Sequence, residues 1–476
     1  MIRRLLALVV AGAAIAGCST ISPFAPDYKR VESEISQAGV FARQSYLEAR
    51  DAQLAQRPDT MTRWWTQFGD PVLDDLVEAG LAQNRNIDAA VATLNIARAN
   101  LSLSRSDYIP TDMQSLSWQR VGTAETGGFG APDQTLLSGE ISALWEWDLF
   151  GRIARGIEVA EADLLEGEAL LADIQSLVIA DIAETYQTLR GLEAQLSVVL
   201  DNIATLERTR ALTVIIRDAG RGTDLDVERA NEQLASTRAA LSPLRLQIDE
   251  ARYRLGVLTG QTPPEIFDVV AATRPLLLIS DPIAVGRPED LLRQRPDILA
   301  AELALVEANA NIGLQRSQAF PVIGLFGSFG LTSDRVETIF DAASRSFAIG
   351  PSLSFSAVDF IRNEDRVAAA TAGAQAELAR YELTVLRALA EAETALSAEN
   401  EYQRQLDELR EAKRAAAEAA RLARIRFENG ATTFLTVLDA ERRSIDADNA
   451  LALARTNTAL AQVRIFRAFR AGPAGT

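Results

Sequence analysis

The sequence comprises 476 residues with 65 acidic and 48 basic side chains, no histidine and one cysteine, giving a formal charge of −17. That composition excludes a histidine-dependent triad, a zinc site of the usual histidine type, an imidazole general base, an internal disulfide and any CxxC motif. The acidic balance also argues against a nucleic-acid partner, because phosphate binding depends on clustered Lys and Arg.

At the amino terminus, Arg3 and Arg4 precede an apolar run from Leu5 to Ala16 that only Gly12 interrupts. This is the pattern of a secretory signal over residues 1–17, shorter than the roughly 20 apolar residues of a transmembrane helix. Ile15-Ala16-Gly17-Cys18 resembles the bacterial lipobox. The resemblance implies that Cys18 becomes the first mature residue and carries a covalent diacylglycerol and an N-acyl lipid, with residues 18–70 as a lipid-anchored segment. The next residue is Ser19 rather than Asp, which favours the outer membrane. Removal of residues 1–17 takes away two positive charges and no acids, so the mature chain carries −17 − 2 = −19.

The remainder is an internal duplication. Leu81 to Pro110 aligns without gaps onto Leu292 to Pro321 with 13 identities in 30 positions, among them Gln83/Gln294, Leu94/Leu305, Asn100/Asn311 and Arg105/Arg316. The register persists downstream, where Gly220, Thr223, Leu225, Val227 and Ala230 meet Gly430, Thr433, Leu435, Val437 and Ala440. Residues 71–260 and 288–476 are therefore two copies of one unit. A Pro-rich crossover, 261–287, joins them.

Each copy opens with an Ala-rich helical stretch, Pro71 to Asp107 and Pro288 to Ala319, stopped by Pro110 or Pro321. Two strand-like runs follow. Apolar residues alternate with polar ones over Leu137 to Leu149 and over Phe347 to Ala357, while the partner runs Thr111 to Val121 and Val322 to Leu331 alternate less cleanly. Next come two stretches without proline, Arg152 to Ala219 and Arg362 to Asn429, 68 residues each. As single helices they would be about 100 Å long at 1.5 Å per residue. Heptad-like spacing at Ile182, Leu189, Leu192, Leu196, Val199, Ile203 and Leu206 gives the first a coiled-coil core. Gly220 and Gly430 end these runs, and returning helices are expected over Leu225 to Gly256 and Phe434 to Arg470.

Strands of 10 to 13 residues with one apolar face suit a tilted crossing of an outer membrane. Trp118, Trp145, Trp147 and Phe355 fit such strands as interface anchors. Four strands cannot close a barrel, and lipid does not tolerate an open sheet edge. Copies must associate: two would give eight strands, filled by side chains, and three would give twelve, wide enough for a lumen.

These residues resemble the TolC-like outer-membrane efflux proteins, most closely the lipoprotein branch (NodT/OprM-like) that serves resistance-nodulation-division (RND) multidrug pumps. The resemblance is carried by Trp64-Trp65-Thr66-Gln67-Phe68-Gly69-Asp70-Pro71 with Leu73 and Leu76, by Arg295-Pro296-Asp297-Ile298 with Ala301-Glu302, and by Phe320-Pro321. It also rests on Gly430 leading to Leu435-Thr436-Val437-Leu438-Asp439-Ala440. It implies a mainly α protein with a membrane β-barrel: a homotrimer with four strands per chain in a twelve-stranded barrel, continued by a long α-helical periplasmic tunnel. It further implies no catalysis and no cofactor beyond the Cys18 lipid. The partners it implies are a periplasmic adaptor, an inner-membrane RND-type pump and outer-membrane lipid.

Matched position by position, Leu435 and Asp439 fall on the family's pore-narrowing leucine and aspartate, and Arg442 on a nearby basic residue of the closed gate. Gly220, Gly430, Arg217 and Phe427 mark the adaptor-contacting tips. The sequence departs from the pattern at Thr436, where some members carry a second aspartate. Phe427 and Arg217 likewise stand where a tyrosine is usual. A lipid-anchored coiled-coil scaffold would keep the helices but would not need paired amphipathic strands. An enzyme could be drawn from Glu391 and Glu393, but charges so spaced on a long helix usually form a solvated face, and no nucleophile accompanies them. The cargo stays open among small amphiphiles, metal cations and secreted protein, with the Trp64-Trp65 opening and the lipobox leaning toward small molecules.

Overall fold

A computed structural model describes residues 62–122, 134–286 and 294–470. The leader, Cys18 and the segment up to 61 lie outside the described residues, as does the inter-strand loop 123–133. The described chain is mainly helical with four strands. It divides into two compact units, and each draws on both sequence repeats: residues 93–167 pack with 300–381, while 62–92 pack with 168–286, 294–299 and 382–470.

The first unit holds the sheet. Strands β1 (Thr111–Val121), β2 (Gln134–Trp147), β3 (Val322–Ser333) and β4 (Arg345–Ser354) lie in the order β1-β2-β3-β4, antiparallel throughout. The register sets Trp118 opposite Leu137, Ile141 opposite Phe329, and Phe329 opposite Phe347. β2 and β3 come from different repeats, so the duplication is stitched together at this pairing.

Strands β2 and β4 stop two or three residues short of the expected Leu149 and Ala357 because the helix caps claim those residues. Asp148 turns away to accept the N–H groups of Ile153 (3.1 Å) and Ala154 (2.7 Å). In the second repeat Ser356 takes that role, accepting from Asp359 N–H at 3.2 Å. Phe355 consequently lies past the end of β4 instead of within a strand, tilted against Phe360 at 6.5 Å. Helix α3 (Arg152–Asp218) is fastened beside the sheet by Arg152, which donates twice to Glu146 at 2.9 and 2.7 Å.

The second unit is helical. Asp70 caps α1 (Pro71–Gln83) by accepting from Val72 N–H at 3.0 Å, with Pro71 at the first helical position where its missing N–H costs nothing. The helix expected over 71–107 is in fact two, because Asn84 takes an extended conformation (φ −70°, ψ 126°) and its side chain accepts from Asn86 at 2.8 Å to start α2 (Arg85–Ser106). The equivalent step in the second repeat falls at Arg295, just before α7 (Pro296–Ser317).

The first returning helix is also two: α4 (Asp224–Ala239) and α5 (Leu241–Thr259). Pro243 has no N–H for the Ala239 carbonyl. Ala240 instead closes a tight turn on Thr237 at 3.3 Å. A short helix α6 (Pro263–Val269) follows in the crossover. Helices α8 (Ala357–Glu428) and α9 (Phe434–Ala468) run unbroken, 72 and 35 residues long, and neither contains proline.

The core of this unit centres on Trp64, fully buried and stacked on Phe466 with centroids 4.4 Å apart. Phe68, Leu73, Leu76 and Val77 are buried with it. The heptad residues Val199, Ile203 and Leu206 of α3 meet Leu234 and Leu244 in a second cluster. Among the described residues no helix is long and apolar enough to cross a membrane.

Candidate channel gate and barrel surface

Both tips are built by the same local rule. Gly220 (φ +71°) and Gly430 (φ +70°) sit in the left-handed region that glycine enters without steric cost. Each closes its helix with a pair of bonds: Gly220 N–H to Arg217 O (2.8 Å) with Arg221 N–H to Ile216 O (3.0 Å), and Gly430 N–H to Phe427 O (2.9 Å) with Ala431 N–H to Arg426 O (2.7 Å). Thr223 then opens α4 with a capping box against Asp226. Arg221 reaches from the first tip to the Glu428 carbonyl of the second, at 3.5 Å.

On α9, Leu435 is 55% exposed. Asp439 accepts from Arg443 at 3.1 Å, an i,i+4 pair along the same helix. Arg442 forms its ion pair elsewhere: it donates to Glu232 at 2.9 Å and to Gln233, tying α9 to α4. Thr436 bonds to Thr432. Of the tip residues, Arg217 is engaged with Asp218 (2.6 Å) and Asp224 (3.4 Å). Phe427 faces inward, 5.7 Å from Phe434, in a cluster with Ala230, Ala423, Val437 and Leu438. Its partly buried ring therefore helps hold the hairpin together.

Sequence reasoning missed Glu441. It is 3% exposed and accepts from Thr209 at 2.8 Å and from Arg424 at 2.5 Å, so one carboxylate joins α3, α8 and α9. Its signal was present but weak, a charged residue in register with the apolar face Phe434, Val437, Leu438 and Ile445. The Arg443 partner of Asp439 was readable from spacing alone.

The barrel aromatics are on the surface. Trp118 is 70% exposed, Trp145 and Trp147 meet edge to face at 6.1 Å, and Trp145 donates to the Tyr108 carbonyl at 3.1 Å. Leu116, Ile141, Phe329, Phe347 and Ile349 are exposed on the same sheet. In the same unit, burial and then the neighbouring carboxylates Glu307, Asp163 and Glu377 push the Glu166 carboxyl up to about 7. No group of potential metal ligands among the described residues has the arrangement of a metal site.

The family model described as outer membrane efflux protein matches residues 76–261 and again 288–469. A probable efflux pump outer membrane protein of Pseudomonas putida, TtgC, is 29% identical over 480 residues, spanning 99% of this chain and 96% of its own. The solved outer-membrane channel OprN superposes with a TM-score of 0.85 at 34% identity, covering 94% of this chain and 99% of that one. The open state of the Neisseria gonorrhoeae channel MtrE superposes at 0.82 with 26% identity, covering 96% and 99%.

Proposed function

The chain belongs to the outer membrane efflux protein family, and from that premise we propose that three copies form a passive duct gated at the tips ending in Gly220 and Gly430. It is the outer-membrane channel component of an efflux pump in a Gram-negative bacterium, and it performs no chemistry of its own. The observation that carries the trimer is the sheet: β1 and β4 each pair on one side only among the described residues, and the pairing register sets the exposed Leu116, Trp118, Ile141, Phe329, Phe347 and Ile349 on one face. Twelve strands from three chains remove every edge and leave a lumen.

Leu435 and Asp439 narrow the periplasmic end, and Arg442 holds α9 to α4 in the resting state. Support comes from the exposure of Leu435 and Asp439 on one stripe of α9. Three Asp439 carboxylates around a threefold axis repel anions and attract cations. The tips dock a periplasmic adaptor bound to an inner-membrane RND-type pump, which supplies the driving force, and the cargo is small molecules. Cys18 carries the lipid anchor.

Single-channel conductance in planar bilayers tests this. Wild-type currents are expected to be small and flickering, and Leu435→Ala with Asp439→Ala should enlarge them severalfold; unchanged currents in inserted protein would remove both residues from the gate. Asp439→Asn alone should lower cation over anion preference, read as a shift of reversal potential in a salt gradient.

A further inference from the structure

The resting position of Leu435 and Asp439 depends on how α9 is rotated about its own axis. At 3.6 residues per turn, Leu435, Asp439 and Arg442 fall on one stripe about 60° wide, while Glu441 is turned roughly 120° from Leu435 and roughly 160° from Asp439. The stripe containing Glu441 is the buried one: Phe434, Val437 and Leu438 pack with Ala230 of α4 and Ala423 of α8. Apolar contacts of this kind fix the face loosely, since one alkyl contact exchanges readily for another. A hydrogen-bonded carboxylate does not slide.

We propose that Glu441 is the positioning residue of the gate, a buried pin that sets the rotation of α9 by accepting from Thr209 on α3 and from Arg424 on α8.

Two observations support the pin beyond its geometry. First, it is absent from the other repeat. The positions equivalent to Leu435, Asp439 and Glu441 are Leu225, Arg229 and Asn231, and Asn231 accepts from Arg210 at 2.6 Å in an exposed contact. The gate carboxylate and the buried carboxylate thus occur together, in the copy that carries the gate. Second, the pin is incompletely satisfied. Among the described residues, Oε2 of Glu441 and Nε of Arg424 are buried without a hydrogen-bond partner. A carboxylate with one oxygen bound twice and the other bare holds its place yet regains hydration once α9 turns it outward. Closed and open settings then lie within reach of each other, as a gate requires.

The inference rests on the gate reading above, so both are measured together on the full-length protein. Glu441→Gln, Thr209→Val, their combination, and Leu435→Ala with Asp439→Ala are compared in planar bilayers in potassium chloride, with thermal melting of each trimer alongside. Glu441→Gln is expected to raise resting open probability about tenfold, the scale of one charge-assisted hydrogen bond. Thr209→Val, which keeps the side-chain shape, should raise it less, and the combination no more than Glu441→Gln alone. A pin that was merely structural would lower the melting temperature and leave open probability alone, and that result overturns the proposal, as does full additivity of the two single changes. If Leu435→Ala with Asp439→Ala opens the channel while Glu441→Gln does not, the gate stands and the pin falls. If the gate variant is silent, both fall.

Discussion

Arg295 shows what a buried charge does in this fold. Its guanidinium, 1% exposed, donates to Asp297 at 2.9 and 2.6 Å, to Glu391 at 3.0 Å and to the Ala468 carbonyl at 2.6 Å. Burial works against ionisation of Asp297, but the Arg295 guanidinium, with Arg470 and the Ile298 N–H, outweighs it and holds the carboxyl below its ordinary value. Arg295→Ala should cost about 3–5 kcal/mol by stranding these partners, and Arg295→Lys should recover little, because an ammonium cannot fork to two carboxylates. Denaturant unfolding reads both. The two displaced carboxylates give opposite pH dependence. Asp297, lowered, contributes stability above its unfolded value near 3.8 that is lost as pH falls. Glu166, raised from 4.5 to about 7, binds its proton more tightly when folded, so stability declines as pH rises between those values. Glu166→Gln should therefore raise the melting temperature at pH 8 and leave it unchanged at pH 4. The Arg295-Pro296-Asp297 motif was visible in the sequence, but its partner was not. Glu391 reads as a solvated helix charge, because nothing local states which face of α8 meets a residue 96 positions earlier.

The elements were legible where one residue type decides them. Proline-free runs became α3 and α8, and the glycines that end them take φ near +70°. Pro110 and Pro321 stop the preceding helices before β1 and β3. Boundaries failed where a side chain outvoted the periodicity: Asn84, Asp148 and Ser356 accept backbone N–H groups through their side chains, which pattern counting does not see, and Pro243 has no N–H to continue its helix. The glycines also differ in what they tolerate. Gly220 has open space where a Cβ would stand, so Gly220→Ala should cost about 1–2 kcal/mol for the left-handed backbone alone. At Gly260 (φ +68°) a Cβ would lie 2.5 Å from the Gln83 carbonyl oxygen. Gly260→Ala should be the more destabilising of the two in a melting comparison, since it forces α1 and α5 apart as well.

At the scale of the molecule, the sheet leaves β1 and β4 each with an unpaired edge among the described residues. Chains held apart by strong detergent should therefore aggregate on its removal unless they trimerise, which size-exclusion chromatography with light scattering would register. The pairing of β2 with β3 joins Trp147 to Ile323, residues 176 positions apart, and both compact units need both repeats. Neither half of the gene product can therefore settle while the other is missing. During secretion the first 260 residues must cross the inner membrane and wait, with their hydrophobic strands and coil unpartnered, until the second copy arrives. A chain truncated after residue 260 should be degraded by protease as fast as an unfolded control. The duplication thus leaves the first half without its packing partners for the interval between the two halves, and slower export of the second half would lengthen the time spent at risk.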